Sequence, residues 1–184
     1  MKKTIYLLLI VSLIGLVIFS CKKNDNHDHN DKQLIITGQL ISYSKSKNDS
    51  ESKSQIVETP DSLSCVDYSF DKGKNKLTLR HINAGFNSCP DSLYCKIELI
   101  GDTILIQEFE KNAHCFGMCM YDLDIEINGV EPKKYQIKFI EPYGSKQNKL
   151  EFEIDLTRVT NGTYCVTRKS FPWGINSLNE QIIE

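Results

Sequence analysis

Short segments of alternating apolar and polar residues recur along most of this chain, and they restrict its fold more than any other feature. The segments near 77–81, 95–99, 121–127, 135–139 and 150–156 place apolar residues at every second position, with polar or charged residues between them. A period of two with one apolar face is typical of antiparallel strands that pack on one side and face water on the other. The pattern predicts an all-β protein.

Turn residues separate these segments. Gly101-Asp102 has the form of a tight hairpin with a two-residue, Gly-first loop, and Asn128-Gly129 separates two later segments. About seven to eight strands spaced in this way predict an antiparallel β-sandwich of immunoglobulin-like type. Tyr135 is placed like the corner tyrosine of immunoglobulin-like domains, whose hydroxyl bonds to the backbone upstream.

A further strand is predicted at 34–43, with Gly38 at a bulge or bend. Residues 44–62 are rich in Ser, Lys, Asp and Glu, with Ile56 and Val57 as their apolar residues, and they predict a flexible loop. Residues 33–184 therefore form a single predicted β-sandwich domain that contains this loop.

The N-terminus has the form of an export signal. Residues 1–20 contain two lysines, a largely apolar run from Ile5 to Phe19 and the small residue Ser20. That run is shorter than the roughly 20 residues that a membrane-spanning helix needs. The sequence Ile18-Phe19-Ser20-Cys21 resembles the lipobox of bacterial lipoproteins. The resemblance implies cleavage of a lipoprotein signal peptide before Cys21 and lipid attachment, with palmitate-type acyl chains, at that cysteine.

Residues 21–32 predict a lipid-anchored flexible tether, because residues 22–32 contain no apolar side chain that could be buried in a core. Their basic-then-acidic order after Cys21 is similar to the surface-export signals of Bacteroidetes lipoproteins. This similarity implies a lipid anchor in the outer membrane of the cell envelope, and it leaves open whether the domain faces the periplasm or the cell surface.

The charge of the chain argues against a nucleic-acid partner. The sequence holds 22 basic and 24 acidic residues, and residues 1–20 hold two lysines and no acidic residue. The chain from Cys21 onward therefore has 20 basic and 24 acidic residues, a net charge of −4. Nucleic-acid binding depends on a basic surface that displaces counterions from phosphates. The chain is not expected to bind nucleic acid.

Six cysteines remain once Cys21 is assigned to lipid, and an even number in an exported protein predicts disulfides. Six cysteines allow 15 pairings, and the sequence does not select one. One arrangement joins the pair Cys89 and Cys95 to the pair Cys115 and Cys119. The outer two cysteines, Cys65 and Cys165, would then pair and join the C-terminal strand to the start of the fold. The disulfide candidates are Cys65, Cys89, Cys95, Cys115, Cys119 and Cys165.

A soft-metal site is the alternative use of the central cysteines. Thiolate, thioether and imidazole groups suit Cu(I) or Zn(II), and His114, Cys115, Met118 and Cys119 offer them within one short segment. The spacing Cys-x-x-x-Cys differs from the repeated Cys-x-x-Cys of zinc sites, and an oxidising compartment competes for the thiols. The disulfide interpretation is therefore preferred, with no cofactor.

Residues 79–90 read LRHINAGFNSCP, and with Tyr121-Asp122-Leu123-Asp124 they resemble a group of uncharacterised small Bacteroidetes lipoproteins. Tyr164-Cys165 and Phe171-Pro172-Trp173-Gly174 resemble the C-terminal end of that group. The resemblance implies no assigned activity.

Ser88 and Gly117 stand where that group has additional cysteines. The loss of both together implies that these two positions would be bonded to each other in the group.

Motifs of enzymes are lacking in the sequence: there is no Gly-x-Ser-x-Gly, phosphate loop or His-Glu-x-x-His. His81 lies on the apolar side of its predicted strand and is expected to be a hydrogen-bonded core histidine. Trp173 is expected to cap the sandwich. The sequence thus predicts a non-enzymatic cell-envelope lipoprotein that serves as a binding or structural domain. Its expected contacts are the membrane, through lipid on Cys21, and an unknown protein or glycan.

Overall fold

The structure, a computed structural model, describes residues 35–47, 59–170 and 172–173. Residues 1–20, Cys21, the tether and residues 48–58 of the predicted loop lie outside the described residues. In the described part, no helix is long and apolar enough to cross a membrane. The strands are β1 (Thr37–Tyr43), β2 (Leu63–Asp71), β3 (Lys76–Asn87), β4 (Pro90–Ile100), β5 (Thr103–Ala113), β6 (Met118–Asn128), β7 (Lys134–Ile140), β8 (Glu151–Asp155) and β9 (Asn161–Thr167).

Two sheets pack face to face and confirm the predicted β-sandwich. One sheet has the order β1-β6-β3-β2-β9 and the other β4-β5-β7-β8. Every strand pair is antiparallel except β5 with β7. The described chain has nine strands, and β2 and β9 are the two that the alternation pattern did not predict. Five strands in one sheet, four in the other and the parallel pair β5–β7 differ from the ABED and CFG sheets of immunoglobulin constant domains.

Alternation builds the core as predicted. Strand β6 buries Tyr121, Leu123, Ile125 and Ile127, and the acidic residues between them point outward. The apolar faces of β2, β3, β5, β7 and β8 pack with Ile125 and Ile127 in the main core between the sheets, whereas Tyr121 and Leu123 belong to a second apolar cluster. The Tyr135 hydroxyl accepts a hydrogen bond from the backbone N of Glu131 at 3.2 Å, which confirms the predicted tyrosine corner.

Gly38 has a different role from the one predicted. The register of β1 on β6 shifts between Leu40 and Ser42, not at Gly38. A Cβ at Gly38 would lie 2.5 Å from Cδ1 of Ile97 on β4. The glycine therefore allows the edge strands of the two sheets to approach each other.

Residues 44–47 of the predicted flexible loop are held on β6. The backbone N of Ser44 donates to Asp122 O at 2.9 Å, and the backbone N of Lys47 donates to Met120 O at 3.1 Å. The Lys47 Nζ also lies 2.6 Å from Asp122 Oδ1. The first part of this segment therefore continues the path of β1 along its neighbour.

Candidate functional site

A cluster of polar and charged side chains lies buried between the two sheets. Ser64 is on β2, His81 on β3 and Glu108 on β5, while Glu141 follows β7 and Arg168 follows β9. The exposed fractions of the four ionisable side chains are between 0% and 4%, and Ser64 is fully buried. We call these five residues the buried charge cluster.

Side chains alternate between the two faces of each strand, and this alternation points the cluster residues of β2, β3 and β5 inward. Ser64 is two residues before the core residue Val66, and His81 is two residues after Leu79. Glu108 occupies the same face of β5 as Ile106. The sheet positions of β2, β3 and β5 thus determine where most of the cluster lies.

Both ring nitrogens of His81 contact oxygen atoms. Nδ1 lies 2.7 Å from Glu108 Oε1, and Nε2 lies 2.8 Å from Ser64 Oγ. Oε1 of Glu141 is 3.8 Å from Nε2. Since each of these oxygens can accept a hydrogen bond, the surroundings of the ring suit an imidazolium, which donates from both nitrogens.

Arg168 neutralises Glu141. Its Nη2 donates to both carboxylate oxygens of Glu141, at 2.6 and 2.7 Å, and to Ser64 Oγ at 3.1 Å. Its Nη1 donates to the backbone O of Asn148 at 2.8 Å. A charge-assisted pair at this depth supports the fold only while both partners are present.

The cluster contains two carboxylates and one guanidinium, so one proton on His81 or Glu108 makes it neutral. Burial alone would lower the pKa of His81, but the neighbouring carboxylates of Glu108 and Glu141 raise it overall. Burial raises the pKa of Glu108 as well. The two side chains titrate as a pair and hold one proton between them to a higher pH than a free histidine would.

The donor atoms of this cluster are of types that divalent cations bind. One ligand atom each from His81, Glu108 and Glu141 lies within 4.8 Å of the others, and Glu108 Oε2 has no hydrogen-bond partner among the described residues. However, Arg168 already contacts both oxygens of Glu141, and a metal ion would need to displace that guanidinium. The guanidinium of Arg168 therefore supplies the positive charge that a metal ion would supply at this place.

The order Ser64, His81, Glu108 also follows the contacts of a Ser-His-acid triad, with Nε2 toward the serine and Nδ1 toward the acid. Ser64 is fully buried, and its oxygen also accepts from Arg168. The hydroxyl is thus engaged inside the protein and is not presented to a substrate.

The C-terminal segment covers the cluster, and Trp173 is its last described residue. Arg168 lies over the Trp173 ring, with its Cζ 4.8 Å from the ring centroid. The indole Nε1 donates to the backbone O of Asn83 at 2.6 Å, and Trp173 is fully buried. A Cβ at Gly85 would lie 2.5 Å from the indole ring, so the glycine makes room for it. The prediction of Trp173 as a cap is confirmed.

Asn83 ties several segments to this cap. It lies at a register shift of β3 on β6 and has a left-handed backbone with φ of +62°. Its side-chain amide donates to Leu63 O at 2.8 Å and Pro60 O at 3.1 Å, and its Oδ1 accepts from Lys47 Nζ at 2.7 Å. Asparagine tolerates this conformation better than most residues.

Four of the six candidate cysteines form disulfides. Cys65 and Cys165 lie directly opposite each other on β2 and β9, and their bond confirms the predicted clip on the C-terminal strand. Cys89 bonds to Cys115, which joins the two central cysteine pairs.

The remaining candidates, Cys95 and Cys119, are free thiols. Cys95 lies on β4 and Cys119 on β6, in different sheets, so neither faces the other across a strand pair. Burial, and then the nearby Glu108 carboxylate, raise the pKa of Cys95 to about 12. Its thiol therefore stays protonated.

The Cys89–Cys115 bond lies in a region, residues 87–90 and 113–118, that we call the stapled end. Asn87 Nδ2 donates to Cys115 O at 2.6 Å, and Ser88 N donates to Gly117 O at 2.9 Å. A Cβ at Gly117 would be 3.6 Å from the Cβ of Ser88. Disulfides have Cβ separations of roughly 3.5 to 4.5 Å. Ser88 and Gly117 are thus adjacent, in the arrangement that the resemblance implied.

The structure does not gather the residues of the alternative metal site. The sulfur of Cys115 is bonded to Cys89, and His114 is exposed with its Nε2 2.9 Å from Asp91 Oδ1. Met118 and Cys119 are consecutive on β6, so their side chains point to opposite faces.

Sequence reasoning singled out His81 and missed its partners. Glu108 could have been found, because it follows Ile104 and Ile106 in the inward register of β5, where a carboxylate requires a partner. Glu141 and Arg168 follow the ends of their strands and carry no such signal. Comparison with known proteins found no matching family model, no matching curated protein and no matching solved structure.

Proposed function

We propose that this chain is a lipoprotein of the bacterial cell envelope, anchored in the outer membrane by lipid on Cys21, and that it acts as a non-enzymatic binding or structural domain. The observation that carries the proposal is the pair of disulfides, Cys65–Cys165 and Cys89–Cys115. Disulfides persist in oxidising compartments such as the envelope beyond the inner membrane. The export signal that ends at Cys21 supplies the route to that compartment.

The polar chemistry of the interior supports a non-enzymatic role. His81 is hydrogen-bonded to both Ser64 and Glu108, and all three side chains are buried between the sheets. A catalytic group must reach its substrate within hydrogen-bond distance. A closed cluster of this kind serves the fold.

Phe116 is the residue that most favours a binding role. Its side chain is fully exposed. The preceding residue, Cys115, forms a disulfide with Cys89, and the carbonyl oxygen of the following residue, Gly117, accepts a hydrogen bond from the backbone N of Ser88. Exposing a large apolar side chain forgoes roughly 1.5 to 3 kcal/mol of burial energy. A rigid aromatic side chain loses little entropy when it binds, and such residues anchor many interfaces.

A protein is favoured over a glycan as the partner at this surface. A depression at the stapled end is lined by Ser88, Cys89 and Pro90 together with Tyr43, Ser44, Ser46 and others. The Ser44 hydroxyl already donates to Lys45 O and accepts from the backbone of Asp122, and Ser46 contacts Cys119. Few of these hydroxyls remain for sugar, whereas an apolar side chain could pack there.

Mass spectrometry after alkylation, with and without reductant, tests the compartment. Protein from intact cells is expected to show both disulfides, with Cys95 and Cys119 alkylated only after unfolding. A fully reduced protein would contradict the proposal. The anchor is tested separately with Cys21→Ala, which should leave the membrane fraction or accumulate unprocessed.

A photo-crosslinking residue in place of Phe116 tests the binding surface in intact cells, with the same residue in place of exposed Val159 as the control. A discrete protein adduct is expected from position 116 alone, and Phe116→Ala should weaken binding of that purified protein by about tenfold or more. A glycan adduct, or equal products from both positions, would refute the protein interface.

A further inference from the structure

We propose that the buried charge cluster is a pH-sensitive link between the two sheets, which holds one proton in the core of the folded domain and weakens when that proton is lost. The link does not depend on the anchor or on any binding partner, because it concerns how the stability of the folded domain responds to pH.

The link crosses from one sheet to the other through His81. The ring belongs to β3 in the five-stranded sheet, and the Glu108 carboxylate at 2.7 Å belongs to β5 in the four-stranded sheet. Ser64 on β2 lies at the other ring nitrogen, at 2.8 Å. Protonation of the ring places a donor at each of these contacts, so the proton joins the layers through hydrogen bonds as well as charge.

The charged and titratable groups around the ring come from several elements. Glu108 comes from β5, Glu141 from the end of β7 and Arg168 from the segment after β9, and the thiol of Cys95 on β4 lies near Glu108. The aromatic ring of Phe139 on β7 lies 5.1 Å from the imidazole, centroid to centroid. When the Cys95 thiol is neutral, the net charge of these groups is −1 without the shared proton and zero with it.

Loss of the proton is therefore opposed by the fold. It would leave two carboxylates beside one guanidinium, in a region from which water is excluded. An uncompensated charge in such a place is strongly unfavourable. The folded state then weakens where Glu108 and Glu141 meet, between β5 and the end of β7.

The sign of the pH effect follows from proton binding. The folded protein keeps the shared proton above the pH, about 6.5, at which a histidine in an unfolded chain loses it. Between these two limits the folded state binds more protons than the unfolded state, so raising the pH favours unfolding. The full contribution to stability is present below about pH 6.5 and is lost as the pH rises through the folded pKa.

The test is the unfolding equilibrium constant of the purified protein in urea, with its disulfides intact, between about pH 6 and pH 9. The wild-type constant is expected to rise with pH above about pH 6.5, by at most about tenfold per pH unit, until the pH passes the folded pKa. The double variant His81→Gln with Glu108→Gln lacks both groups that can hold the proton, and it should remove this rise. His114→Gln is the matched control, because His114 is an exposed histidine paired with Asp91, and it should keep the rise. A wild-type slope that the double variant retains would overturn the proposal.

Nitrogen chemical shifts of the wild-type histidine rings provide a test that does not depend on the variants folding. The ring of His81 should lose its proton at a higher pH in the folded protein than in the urea-unfolded protein, and loss at the same or a lower pH would refute the proposal. Zinc or manganese chloride tests the competing role of the cluster. If stoichiometric metal raises the unfolding midpoint and releases the His81 proton, the cluster is a metal site and the pH-link proposal is wrong.

Discussion

The stapled end and the buried charge cluster hold the same sandwich together in opposite ways. At the stapled end a covalent bond between Cys89 and Cys115 lies beside the fully exposed Phe116, so solvent can occupy any space that a substitution creates. In the cluster every bond is noncovalent and every ionisable side chain is at most 4% exposed. The first region can therefore lose or gain a contact locally, whereas the second depends on all its partners at once.

The largest effect is expected when the cluster loses its permanent cation. Arg168→Met leaves the Glu141 carboxylate buried without its partner, and the free energy of unfolding should fall by about 3 to 5 kcal/mol. Urea denaturation at pH 6 measures this change. Lys134→Met is the control, since Lys134 pairs with Glu153 where both side chains are 64% exposed, and such pairs contribute at most about 1 kcal/mol.

A double variant distinguishes lost charge balance from lost packing. Arg168→Met combined with Glu141→Gln removes both charges, and it should recover a large part of the stability that Arg168→Met loses. If the double variant is as unstable as the single one, the packing of Arg168 against Trp173 matters more than its charge.

The next effect concerns the staple. Replacing Cys89 and Cys115 together by alanine opens a loop with a sequence separation of 26 residues. The free energy of unfolding should fall by about 3 kcal/mol, because the unfolded chain gains conformational freedom. Unlike the cluster variants, this one should not change the dependence of stability on pH. Cys95→Ala, which removes a free thiol and no bond, is the control.

These two regions differ in how well the sequence predicts them. Cysteines are visible in the sequence, and the arrangement that paired Cys65 with Cys165 and joined the two central pairs agrees with the two disulfides. The even number of cysteines also predicted bonds for Cys95 and Cys119, which was wrong, because pairing depends on which strands are neighbours. The cluster is assembled from five separate elements, so its contacts exist only once the strand order is known.

The fold shows the same division. Period-two alternation predicted the class and most strands, including β6 with its buried Leu123 and Ile125. It did not predict the pairing of β5 with β7 in parallel, since alternation fixes which face of a strand is buried but not its neighbour. The role of Gly38 likewise depends on contact with a residue almost sixty positions away.

Two glycines allow the regions to be compared with the same substitution. A Cβ at Gly85 would lie 2.5 and 2.8 Å from atoms of the buried Trp173 ring, which has no free space to move into. Gly85→Ala should therefore destabilise the protein by about 1 to 3 kcal/mol through overpacking. A Cβ at Gly117 meets the Ser88 hydroxyl at 2.9 Å, which can rotate away, so Gly117→Ala should change stability by about 0.5 kcal/mol or less. Thermal unfolding of both variants checks the difference, and equal losses would contradict it.

A second staple should also have only a small effect in the intact protein. Ser88→Cys with Gly117→Cys should form a disulfide spontaneously, because the Cβ separation of 3.6 Å already suits one. The gain should be below about 1 kcal/mol, since the neighbouring Cys89–Cys115 bond has already closed nearly the same loop. In a protein with Cys89 and Cys115 replaced by alanine, the same pair should restore about 3 kcal/mol. Peptide mapping must show a link between positions 88 and 117. If no link forms there, the prediction from the Cβ separation is wrong. If the link forms and stability is not restored, the staple contributes through local contacts of Cys89 and Cys115 and not through closure of the chain.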